Sequence, residues 1–162
     1  MTLAFFLGLC VAGSVAALVV STAAASRRAS RLRALGKEWG MHFTPVDRLR
    51  LAERLMDRFP VPGAGGLVVT DVLYRTDGHA HHYLATAEFV TGTVGSRRRL
   101  RVAVAIVERR STGRREPDAS ASKSIDPAPL LGPPGLPLLE QYRHLHEAAM
   151  GSATDLVGLT GS

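Results

Sequence analysis

Charged and apolar positions are spread unevenly along this chain. The first 26 residues carry no charged side chain, and Arg27, Arg28, Arg31, Arg33 and Lys37 follow at once. As a helix, Leu3 to Ala25 would span roughly 34 Å, against about 30 Å for a hydrocarbon core. The pattern predicts a transmembrane anchor over residues 1–26. The five basic residues would form a collar against anionic headgroups. A cleaved signal peptide fits less well, because no Lys or Arg precedes the apolar run. Positive charge after the helix directs the rest of the chain to the cytoplasm. The expectation is a single-pass protein of the plasma (inner) membrane, with the lipid bilayer as a partner.

Beyond the collar the periodicity changes twice. Residues 26–40 extend the helix, with Leu32, Leu35 and Trp39 near helical spacing and Gly40 as a breaker. A second helix is predicted over 45–58, where Val46, Leu49, Ala52, Leu55, Met56 and Phe59 form a stripe. Thr44 reads as its N-cap, Pro45 as its first residue and Asp47 as an acid at its positive end. Alternation then marks three strands, roughly 67–76, 79–91 and 97–109. Asp77-Gly78 predicts a two-residue hairpin with Thr76 opposite His79. A second turn at Val94-Gly95 places Phe89 opposite Leu100, Ala87 opposite Val102 and Glu88 opposite Arg101. Both hairpins put an apolar set on one face; the other face reads as partly solvated.

The predicted fold class is α+β: an N-terminal transmembrane helix, then a small two-layer domain of helices on a three-stranded antiparallel meander. That domain occupies residues 27–110. Residues 111–137, rich in Ser, Ala, Pro and Gly, read as a disordered linker. An amphipathic helix follows at 138–150, with Leu138, Tyr142, Leu145 and Ala149 on one stripe, and 151–162 reads as a flexible tail.

Composition adds little chemistry. The formal charge is +6, and 18 of the 20 basic residues are Arg. That bias fits a GC-rich genome, so the basic balance is weak support for nucleic acid. A single Cys excludes an intramolecular disulfide and a multi-cysteine zinc site. His79 and His81 share one side of a strand and could supply two metal ligands, but zinc sites use three or four. Asp71 and Glu88 are not neighbours in the predicted register. The run Arg97–Arg101 is split between faces and lacks an aromatic platform. No phosphate-loop, dinucleotide or hydrolase motif occurs, so no cofactor is expected.

The segments ALGKEWGMHFTP (34–45), VVTDVLYRT (68–76) and the hairpin through Tyr83–Val90 resemble uncharacterised bacterial single-pass membrane proteins with a small α+β domain. The resemblance covers about residues 34–109 and implies an architecture without a catalytic site. The resulting expectation is a membrane-anchored, non-enzymatic module making protein or lipid-surface contacts. Two alternatives stand beside it: an accessory subunit of a membrane complex docking through the 138–150 helix, and a metal-dependent enzyme using His79 and His81.

Overall fold

The computed structural model describes residues 2–78, 80–92, 96–109 and 128–154. Eight elements follow in order: α1 (Thr2–Glu38), β1 (His42–Val46), α2 (Leu51–Met56), β2 (Gly65–Thr76), β3 (Ala80–Thr91), β4 (Arg98–Arg109), β5 (Leu130–Leu131) and α3 (Leu138–Thr154). The strands form one antiparallel sheet in the order β1-β2-β3-β4-β5. The fold is α+β, but the sheet has five strands where three were predicted, and helices cover both faces.

One face buries Leu67, Val69, Val72, Tyr83, Ala85, Ala87, Phe89, Val104 and Ile106 under Leu51 and Leu55 of α2. The Phe59 ring meets Phe89 edge-on at 4.9 Å. Arg54 of α2 pairs with Glu108 and lies over the Tyr83 ring. The opposite face was expected to be partly solvated. Instead it buries Leu73, Leu84, Ala103 and Ala105 beneath Leu32 and Leu35 of α1 and Tyr142 and Leu145 of α3. Gly36 lets α1 approach closely, since a Cβ there would sit 2.7 Å from Leu73 Cδ2 and 3.1 Å from the Met41 carbonyl oxygen. Gly40 ends the helix in the left-handed region (φ 63°), and Met41 N–H returns to the Gly36 carbonyl at 2.7 Å.

The β3–β4 register matches the sequence reading, including Phe89 opposite Leu100 and Glu88 opposite Arg101. The β2–β3 register does not. Thr76 lies opposite His81, because Asp77 Oδ1 accepts the Ala80 N–H at 2.7 Å and closes a longer loop. A bulge between Thr70 and Leu73 then shifts the pairing by one residue. Leu67 and Val69 therefore face the core while Val68 is 45% exposed. The predicted turn at 94–95 lies outside the described residues.

The predicted helix over 45–58 begins late. Pro45 sits inside β1, and only Leu51–Met56 is α-helical. Asp47 starts this helix by a different route, accepting the N–H groups of Leu49, Leu51 and Ala52 at 3.2, 2.9 and 2.8 Å. Part of the predicted linker is structured. Leu130 and Leu131 pair with Ala105 and Val104, and Gly132 N–H reaches the Ala103 carbonyl. Residues 111–127 and 155–162 lie outside the described residues.

The anchor expected over Leu3–Ala25 is not borne out. Among the described residues, no helix is long and apolar enough to cross a membrane. This stretch belongs to a longer helix whose last third docks on the sheet through Leu32 and Leu35. The inner-membrane location, the cytoplasmic orientation, the bilayer as partner and the membrane-anchored module fall with it.

Candidate functional site

The turn after β1 makes a concave surface. Phe43, Thr44 and Pro45 of β1, Arg48 and Leu49 of the following turn, and Tyr74 of β2 line a groove of about 280 Å³. β1 supplies the wall because it pairs with β2 on one side and forms the end of the sheet. Val46, at its end, is 62% exposed. Asp47 fixes the turn, and Arg50 adopts a left-handed conformation (φ 54°) just before α2.

Asp47 accepts three backbone N–H groups and keeps its negative charge beside Arg48. Arg48 is exposed and has no acidic partner among the described residues. On the α1 face of the sheet, Arg33 lies 5.4 Å from the centroid of the Phe43 ring. His42 is exposed and its ring is 5.3 Å from that of Tyr74. The groove thus sets Tyr74 and the exposed Arg48 beside an edge of β1 that no strand among the described residues pairs with.

A second polar cluster holds the fold together. Asp71 sits in the bulge of β2 with φ 53° and is 4% exposed. Its Oδ2 accepts from Arg28 Nε at 3.1 Å and from Arg101 at 3.3 Å. Arg101 also bonds Glu88, which pairs with Arg99 as well. Asp71 and Glu88, apart in the predicted register, are joined through Arg101. Tyr142 OH donates to the Asp71 carbonyl at 2.7 Å. Its one proton is thereby used, so Thr86 Oγ1, 2.9 Å away, donates to Tyr142. Burial, the largest cause, pushes the Tyr142 phenol far above its ordinary pKa. These contacts tie α1 and α3 to the sheet and leave no open substrate position beside the phenol.

The residues singled out from the sequence scatter. Arg28 turns inward to Asp71 and Arg33 covers Phe43, while Arg27, Arg31 and Lys37 are exposed. They do not form one collar. His79 lies outside the described residues. His81 Nδ1 is 2.8 Å from Thr76 Oγ1, and His82 Nε2 is 2.7 Å from Asp77 Oδ2. Among the described residues no group of three or more His, Cys, Asp or Glu could hold a metal ion, which overturns the metal-enzyme alternative. The helix expected to dock a larger complex is turned inward, with Tyr142 and Leu145 buried on the sheet. Its apolar stripe is used within the fold. The groove has no signal in the alternation pattern, because Pro45, Arg48 and Leu49 fall within the helix predicted over 45–58 and Thr44 reads as its N-cap.

The His146 ring of α3 stacks on Trp39 at 4.1 Å with 10° between planes. Burial first, then the Arg75 charge, lowers its pKa below the ordinary 6.5, against smaller opposing pulls from Glu147 and Glu38. A folded-state pKa below the unfolded one means the unfolded chain takes up the proton first. The stabilisation is complete above pH 6.5 and declines as pH falls from there toward the folded value. In urea unfolding at a series of pH values, the wild type should lose stability below pH 6.5 more steeply than His146→Gln. Parallel curves would show that His146 is not the titrating group.

No protein-family model, curated protein or solved structure matches the chain. The resemblance over residues 34–109 to single-pass membrane proteins is overturned on two counts: no family match supports it, and no described helix can serve as the anchor.

Proposed function

We propose that this chain is a non-catalytic recognition module that takes an extended protein segment along the outer edge of β1. The observation that carries this reading is the groove against a strand edge that no strand among the described residues pairs with. A strand bonded on one side presents N–H and C=O groups that an incoming extended chain can pair with, and an adjacent pocket for alternate side chains adds selectivity. Pro45 removes one donor from the five-residue strand. That limits pairing to a short register and guards the edge against indiscriminate association.

The remaining polar groups near the sheet support the same reading. Asp71, Thr86, Gln141 and Tyr142 are each engaged in contacts that fasten helices to strands. The test is to pan a random peptide library on the full chain and map the selected binders by amide chemical shifts. The expected result is shifts concentrated at His42–Val46 and Tyr74. Failure to select binders, or shifts centred on α3, would reject the edge as the contact surface.

A further inference from the structure

We infer that the end of the sheet where α1 meets β4 binds the phosphodiester backbone of duplex nucleic acid. This function is separate from the β1 edge. Arg28 of α1 reaches Asp71 Oδ2 at 3.1 Å, and Arg101 of β4 reaches the same oxygen at 3.3 Å. Arg101 Nε also meets Glu88 Oε1 at 3.3 Å, and Arg99 meets Glu88 Oε2 at 3.2 Å. These pairs string three guanidinium groups across the gap between helix and sheet. Arg27 beside Arg28, Arg31 one turn further on, and Arg97 and Arg98 just before Arg99 are all exposed. Seven arginines thus stand against two acids, an excess of five in a chain of formal charge +6. An Arg-rich composition accounts for how many arginines the chain carries, but not for their gathering at one end. The two groups are distant in sequence, and the docking of α1 through Leu32 and Leu35 brings them together.

The acids position this cluster more than they cancel it. Asp71 is buried, whereas Arg28, Arg101 and Arg99 keep 33%, 32% and 70% of their side chains in solvent. Arg28 and Arg99 each give one nitrogen to these carboxylates, and Arg101 gives two. A guanidinium has five N–H donors, so donors remain for an anion outside. The chemistry then selects the partner. Protein interfaces are depleted of charge at their centres, and a protein covering this surface would desolvate several cations at once. Contacts to phosphates stay hydrated, and arginine suits them with paired hydrogen bonds. The cation–π contacts among the described residues lie elsewhere, at Arg33 and Arg54, so no aromatic platform for unstacked bases adjoins the cluster. A duplex, which offers its backbone and keeps its bases stacked, fits this surface, and the contact reads charge instead of sequence.

The experiment uses the full chain and short fluorescein-labelled duplexes of mixed sequence, one DNA and one RNA, read by anisotropy over a range of salt. Binding should be micromolar at low salt, with log affinity falling linearly against log salt. Arg97→Gln/Arg98→Gln should lower that slope by about 2, one for each phosphate contact removed. Lys37→Gln/Arg143→Gln takes the same charge from exposed positions elsewhere on α1 and α3 and should leave the slope nearly unchanged. Equal binding of the two duplexes assigns the shared backbone, and a preference names its source. Absence of binding at low salt overturns the inference. So does an equal loss of slope in both double variants, which would reduce the effect to net charge. Tighter binding of the separated strands would reject the duplex. Displacement by polyglutamate as effective as by unlabelled duplex, at equal charge, would make this an acidic-protein contact instead.

Discussion

Replacing Asp71 by alanine is expected to lower the unfolding free energy by about 3 kcal/mol. The carboxylate holds Arg28 of α1 and Arg101 of β4 on the same oxygen. Removing it leaves two cations without their common partner. Their side chains remain 33% and 32% exposed, so water screens them and the loss is about 2 kcal/mol, below that of a fully buried pair. A further cost of about 1 kcal/mol comes from the left-handed backbone at Asp71, which Asp and Asn tolerate better than Ala. Asp71→Asn keeps that tolerance and should lose only the first part. Urea denaturation followed by the fluorescence of Trp39, the single tryptophan, reads both variants. A drop under about 1 kcal/mol for alanine would show that Arg28 and Arg101 find equivalent solvation without Asp71.

Tyr142→Phe is expected to cost about 2 kcal/mol, because one deleted oxygen strands two buried partners. The Asp71 carbonyl loses its donor and the Thr86 hydroxyl loses its acceptor. Thr86 is fully buried, so solvent cannot replace the lost bond. Adding Thr86→Val in the Phe background should recover part of the loss, since an apolar pair of similar shape leaves no orphaned hydroxyl. Unfolding of the two single variants and the double variant measures this coupling. Additive losses would mean that Thr86 and Tyr142 do not share a bond.

Legibility in the sequence followed the range over which each signal acts. The β3–β4 register was legible because alternation and the spacing between two adjacent strands act locally, and twelve successive pairs agree from Ala80↔Arg109 to Thr91↔Arg98. The bulge at Asp71 was not, because a single left-handed Asp leaves the surrounding alternation ambiguous. Its mark is the three-residue step between Val69 and Val72, both buried on one face. β1 was hidden for a different reason. Val46, Leu49, Ala52 and Leu55 share helical spacing, while the pairing of Phe43 with Leu73 depends on residues thirty positions away. The candidate groove draws Pro45, Arg48 and Leu49 from that stretch and Tyr74 from β2, so no local pattern groups them. β5 is two residues long within a stretch of small and polar residues, too short for alternation to register. The collar misled because the basic residues at 27–37 are distributed around a helix of which one face packs on the sheet.

The contact made by Tyr142 also orders events in time. β2, β3 and β4 are neighbours in the chain, whereas Tyr142 reaches partners 56 and 71 positions away. Closing such a span costs more chain entropy than forming adjacent hairpins, so α3 settles on a sheet already in place. Substitutions at Tyr142 should then fall on the unfolding rate and leave the folding rate nearly unchanged. The Ala103 amide, bonded to Gln141 Oε1 at 2.9 Å instead of to a neighbouring strand, becomes a clock for this event. Its hydrogen exchange reports the lifting of α3 alone, at a lower free energy than the opening of the strands beneath it.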